Sequence, residues 1–106
     1  MPRLSAQQRA TLDRLAAELR RRFGARLAAV TLFGSRARGE GRDDSDLDVL
    51  VLVRDLTQDE RRAVIDFAAD LGVESGLVLS PLVADPARFP ADLPLARAVA
   101  ADGVPL

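Results

Sequence analysis

The chain predicts a small α/β domain, and three observations carry that reading. Apolar residues recur at helical spacing from Leu12 to Phe23. Two short apolar runs, Leu27 to Phe33 and Leu47 to Val53, have the length and branching of strands. A second helical stretch with its own capping signal follows the second run.

The elements can be justified in order. Ser5 with Gln8 forms a capping box. Leu12, Leu15, Ala16, Leu19 and Phe23 then line one face, and Gly24 is a stop, so a helix is expected over residues 6–22. Arg20, Arg21 and Arg22 sit near its negative end, where cations are favoured. Leu27 to Phe33 is the first strand, and Gly34 to Arg38 a turn leading into a short helical segment. Residues 40–46 form a polar loop. Leu47 to Val53 is the strongest strand signal and is expected at the centre of the sheet, with Asp48 its sole polar residue.

Thr57 and Glu60 make a second capping box. Val64, Phe67, Ala68 and Leu71 mark a helix face expected to end at Gly72. Gly76 to Val83 reads as a third strand. Pro81 cannot donate to a ladder, so this strand lies at an edge or ends early. A proline-punctuated connection follows from Asp85 to Pro94. A last short helix is expected from Leu95 to Ala101, stopped by Gly103.

At 106 residues a single domain, 1–106, is the expectation. Nearly half the residues are apolar but only four are aromatic, so Leu, Val and Ala must build the core. The formal net charge is −1, which argues against direct nucleic-acid binding. Cysteine and histidine are both absent, which excludes disulfides, thiolate metal sites and histidine bases or ligands. No apolar run approaches the roughly 18 residues of a membrane span, and the first residues lack a signal-peptide pattern. A cytoplasmic protein with no membrane association is the default expectation. So small a core is also compatible with a homo-oligomer.

The chemistry is concentrated between the first two strands. Gly34 lets the backbone approach a ligand, and Ser35 can give a hydroxyl and an N–H to phosphate. Asp46 and Asp48 are two residues apart on a strand, so their Cα atoms lie roughly 6.5 Å apart on one face. Paired metal ions in phosphoryl-transfer sites sit roughly 3.5–4 Å apart, within reach of such a pair. Magnesium suits this oxygen donor set because it takes carboxylates together with substrate phosphates. Arg36 and Arg38 flank the turn and could pair with triphosphate oxygens. They could equally form a solvated basic turn balanced by Asp43 and Asp44.

Taken together, Gly34, Ser35, Gly39, Ser45, Asp46 and Asp48 form a strand, turn, loop and strand composite. It resembles the signature of the nucleotidyltransferase superfamily related to DNA polymerase beta. The nearer likeness is to the minimal nucleotidyltransferase (MNT) proteins, single small domains of about this length. The resemblance implies a small mixed β-sheet with flanking helices. It implies two magnesium ions held by Asp46 and Asp48, with Gly34 and Ser35 at the nucleotide phosphates; Arg36, directly after Ser35, and Ser45 of the motif are the further nucleotide-binding candidates. It further implies AMP transfer from ATP to a hydroxyl on a protein partner. In that family the partner is commonly an all-helical HEPN-domain protein, and the pair acts as antitoxin and toxin.

A third carboxylate, expected on the following strand, completes the family's site. Residues 76–83 contain neither aspartate nor glutamate. Glu74 is the nearest candidate for this catalytic role, and Ser80 could occupy the equivalent place. Asp66 and Asp70 belong to a helix and are expected to face solvent. The gap keeps a second reading open: a non-catalytic nucleotide- or partner-binding module.

Overall fold

A computed structural model describes residues 4–39 and 46–106. Its order is α1 (Ala6–Phe23), β1 (Leu27–Phe33), β2 (Leu47–Val53), α2 (Gln58–Ser75), β3 (Leu79–Ala84), α3 (Pro94–Asp102) and β4 (Val104–Pro105). One mixed four-stranded sheet runs β3-β2-β1-β4. β1 and β2 are antiparallel, β2 and β3 parallel. The parallel pair needs a crossover, and α2 supplies it.

The caps fall where the sequence puts them. Ser5 accepts from the Gln8 N–H, and the Gln8 side chain accepts from the Ser5 N–H, closing the first capping box. Thr57 and Glu60 do the same for α2. β2 is central, as its almost wholly apolar sequence predicts. Leu47, Val49, Val51 and Val53 are buried in one cluster with Leu12, Leu15 and Leu19 of α1 and Val64, Ala68 and Leu71 of α2. This is the period of a strand against the period of two helices. The other β2 face carries Asp48, Leu50 and Leu52. Among the described residues, no helix is long and apolar enough to cross a membrane.

Three expectations need correction. α2 does not stop at Gly72 but continues to Ser75, with Gly76 as the left-handed cap at φ 70°. Gly72 is inside the helix because backbone packs on it: an added Cβ would stand 2.7 Å from the Leu77 carbonyl oxygen. The chain then uses Gly76 to Val78 to reverse, so β3 begins at Leu79 rather than Gly76. β3 is an edge strand, as Pro81 requires. The second correction is β4, which the sequence reading left out. Its two residues pair with Thr31 and Leu32 of β1, and the Leu106 N–H donates to the Val30 carbonyl at 2.9 Å. Third, residues 34–39 make turns rather than a regular helical segment.

Candidate active site

The sheet topology brings three strand ends together. In register, Phe33 at the end of β1 pairs with Asp48 near the start of β2, and Asp48 pairs with Ser80 near the start of β3. Gly34 follows Phe33 directly with φ 79°, the left-handed region that glycine reaches without strain. The Asp48 carboxylate lies against it: a Cβ built on Gly34 would be 2.5 Å from Asp48 Oδ2. Glycine is therefore required here twice, for its backbone angle and for the carboxylate beside it.

The turn after Gly34 closes through the Arg38 N–H to the Gly34 carbonyl, 3.4 Å, and the Gly39 N–H to the Arg36 carbonyl, 3.3 Å. Ser35 is half-buried at its start.

Asp46 is exposed just before β2, and Asp48 is half-buried two residues on, so both side chains belong to one face. Burial, and secondarily the Asp46 carboxylate, push the Asp48 carboxyl above its ordinary range. Ser80 Oγ donates to Asp46 Oδ2 at 3.2 Å. The face thus offers two carboxylates and one hydroxyl, an all-oxygen donor set. That set fits magnesium, which commonly takes one or two protein carboxylates and fills its remaining positions with substrate phosphates and water. A cation here would also relieve the like-charge contact that raises Asp48.

One predicted site residue, Glu74, is placed elsewhere, and another, Arg36, turns its side chain inward. Glu74 lies in the last turn of α2, 65 % exposed, and its carboxylate pairs with Arg14 of α1 at 3.4 Å. No group of three or more acidic side chains forms among the described residues, so Glu74 does not join Asp46 and Asp48. The helix extending past Gly72 is the reason: it carries Glu74 on its surface rather than into a strand. Arg36 is 3 % exposed, and its Nη2 donates to Gln8 Oε1 at 3.0 Å. Ser45 lies outside the described residues, as do Asp43 and Asp44. Asp66 and Asp70 face solvent as expected.

Gln8 is the residue that sequence reasoning placed without its full role. Its capping function was legible from the spacing to Ser5. Its contact with Arg36, 28 positions away, left no local signal. A separate cleft of about 400 Å³, lined by Leu56, Thr57, Arg61, Val83 and Arg88, lies at the other end of β3 and contains none of the site residues.

Comparison with known proteins gives the family and the fold. The chain is 37% identical over 59 residues to a Methanocaldococcus jannaschii protein named "Putative protein adenylyltransferase". That match covers 55% of this chain and 60% of the relative, so the chain spans less than two thirds of that protein's length. A solved structure described as a "putative minimal nucleotidyltransferase" aligns with TM-score 0.65 and 30% identity, covering 92% of this chain and 91% of that one. A chain in the structure of a tri-AMPylated Shewanella oneidensis HEPN toxin in complex with MNT antitoxin aligns with TM-score 0.57. Its identity is 20%, and the match covers 92% of this chain and 69% of that one, a likeness of fold. Residues 12–99 match the nucleotidyltransferase domain family, a span that includes the Gly34 turn, Asp46, Asp48 and Ser80. The chain therefore belongs to the nucleotidyltransferase domain family.

Proposed function

We propose that this domain transfers a nucleoside monophosphate, AMP from magnesium-ATP, to a hydroxyl on a protein partner. The observation that carries the reading is the Asp46–Asp48 pair at the head of the central strand, with the Asp48 carboxylate against Gly34. A phosphate cradle beside a pair of carboxylates is the arrangement phosphoryl transfer needs. In the transfer, the acceptor hydroxyl gives its proton to solvent, its oxygen bonds to the α-phosphorus as the bond from that phosphorus to the α,β-bridging oxygen breaks, and pyrophosphate leaves with that bond's electron pair.

Each residue has a defined task in this reading. N–H groups of the turn and the Ser35 hydroxyl bind phosphate oxygens. Asp46 and Asp48 hold magnesium, two ions when both positions fill. Bound magnesium neutralises charge on the triphosphate and orients it. Ser80 fixes the Asp46 carboxylate through its hydrogen bond. Ser45 belongs to the nucleotide side by its place in the motif. The partner is a HEPN-domain helical protein, and the pair acts as antitoxin and toxin. The sequence motif and the fold likeness to the MNT complex support this partner.

One observation favours a second reading. Ser80 stands in register beside Asp48, where a third carboxylate would complete the site, and Glu74 is turned toward Arg14. A domain with two carboxylates could bind nucleotide and partner without turnover. The deciding experiment combines calorimetric titration of magnesium-ATP with a transfer assay using ATP labelled at the α-phosphate and a helical HEPN partner. Wild type is compared with an Asp46→Asn, Asp48→Asn double variant. Magnesium-dependent binding and labelling, both lost in the variant, support the transferase. Binding without labelling supports the second reading. Absence of nucleotide binding in wild type overturns the transferase and leaves a partner-binding module.

A further inference from the structure

We infer that Gln8 is a positioning residue for the phosphate-binding turn, acting through the buried side chain of Arg36. The inference rests on the nucleotide-binding reading above and adds a residue from outside the motif.

The turn that begins at Gly34 is weakly closed by its own backbone. Its two internal hydrogen bonds are 3.4 and 3.3 Å, long for N–H to carbonyl contacts. Its place is set by side chains that face inward. Ala37 is buried in the main core cluster. Arg36 is buried as well, and its guanidinium reaches α1, where Nη2 donates to Gln8 Oε1 at 3.0 Å.

Gln8 is itself 4 % exposed, unusual for a polar residue in the first turn of a surface helix. The same Oε1 accepts from the Ser5 N–H at 2.8 Å. One amide oxygen thus serves the start of α1 and the turn that follows β1. Bonds to a charged donor in a buried setting are among the stronger ones. Arg36 is also the residue next to Ser35, so loss of the anchor on its guanidinium leaves the backbone assigned to phosphate less restrained. The inference needs no contact between Arg36 and ligand: the side chain is tied down so that the neighbouring N–H groups are held in place.

The test uses three variants of the full chain and titration with magnesium-ATP. Gln8→Met keeps the side-chain length and removes the acceptor. Gln8→Glu keeps an acceptor for both donors. Ser5→Ala removes the hydroxyl that caps Gln8 while leaving the Gln8–Arg36 contact intact. Expected is a Kd for magnesium-ATP raised about tenfold in Gln8→Met, the scale of one lost charge-assisted bond. Gln8→Glu should stay within about twofold of wild type, and so should Ser5→Ala, although its melting temperature falls through loss of the cap. If Gln8→Met binds as wild type does, or if Ser5→Ala weakens binding as much as Gln8→Met, the inference is overturned and Gln8 is a helix cap alone. Wild-type protein that binds no magnesium-ATP would instead overturn the nucleotide reading on which the inference stands.

Discussion

At the scale of single residues, Asp48 shows how a site can oppose stability. Its carboxyl is half-buried and close to Asp46, and both factors hold its pKa above the ordinary value of 3.8. A carboxyl raised in the folded state binds its proton more tightly there than in the unfolded chain. Stability therefore falls as pH rises from about 3.8 through the raised value, and the ionised group is a net cost above it. Asp48→Asn removes that cost. In chelator-treated protein at pH 7 the variant should melt at a higher temperature than wild type, and the difference should shrink below about pH 3.8. Magnesium-ATP binding should be lost in the same variant. Thermal melts across pH with parallel calorimetry check both halves; equal or lower melting of the variant at pH 7 would contradict the argument. From sequence alone, Ser80 and Glu74 are both candidates for the third-acid position. Register decides between their places, because strand pairing sets Ser80 beside Asp48, while the length of α2 leaves Glu74 with Arg14.

At the scale of elements, α2 is held at both ends by devices of different kinds. Its first turn carries Glu60, which closes the capping box and pairs with Arg26 at 2.8 Å. Hydrogen bonds from Arg26, then the Thr57 backbone, lower the Glu60 carboxyl from 4.5 to about 2. A depressed carboxylate contributes its stability in full above 4.5 and loses it as pH falls toward 2. Glu60→Gln should therefore melt below wild type at pH 7, and the two curves should converge as pH approaches 2. A gap that is independent of pH would assign the effect to packing instead.

Near its other end, Gly72 supports the opposite of a propensity argument. Alanine is the better helix former by about 1 kcal/mol. Yet a Cβ here meets the Leu77 carbonyl oxygen, which belongs to the chain reversal into β3. Gly72→Ala should be destabilising despite the gain in propensity, measured as a lower urea midpoint; a higher midpoint would show that the reversal can shift at little cost. The expectation that α2 stopped at Gly72 failed for this reason. In sequence a glycine after an apolar stripe reads as an end, and only packing reveals one that is inside for close approach.

At the scale of the whole molecule, the sheet gathers pieces from three strand ends and one helix start into a single corner. Ligand bound there should stabilise the entire fold by linkage. Magnesium-ATP at a hundredfold its Kd should add about 2.7 kcal/mol, seen as a rise in melting temperature that is absent in the Asp46→Asn, Asp48→Asn double variant. An equal rise in the double variant would place the nucleotide elsewhere, such as the cleft by Arg61 and Arg88.

The elements and the motif were legible in the sequence because their causes are local. Ser5 with Gln8, and Thr57 with Glu60, act over three residues, and the Leu47 to Val53 run declares a buried strand by composition alone. Gly34 and Ser35 lie about ten positions before Asp46 and Asp48, at the facing ends of two consecutive strands, so their order along the chain already implied their neighbourhood. β4 was missed because two residues are too few to carry a period, and they form a strand only where β1 offers its edge. What only the tertiary structure decided is which distant groups meet: Gln8 with Arg36, Ser80 with Asp46, and Glu74 with Arg14. Those pairings depend on strand order, register and helix length together. Periodicity, by contrast, records which side of an element is apolar and carries no information about the residue opposite.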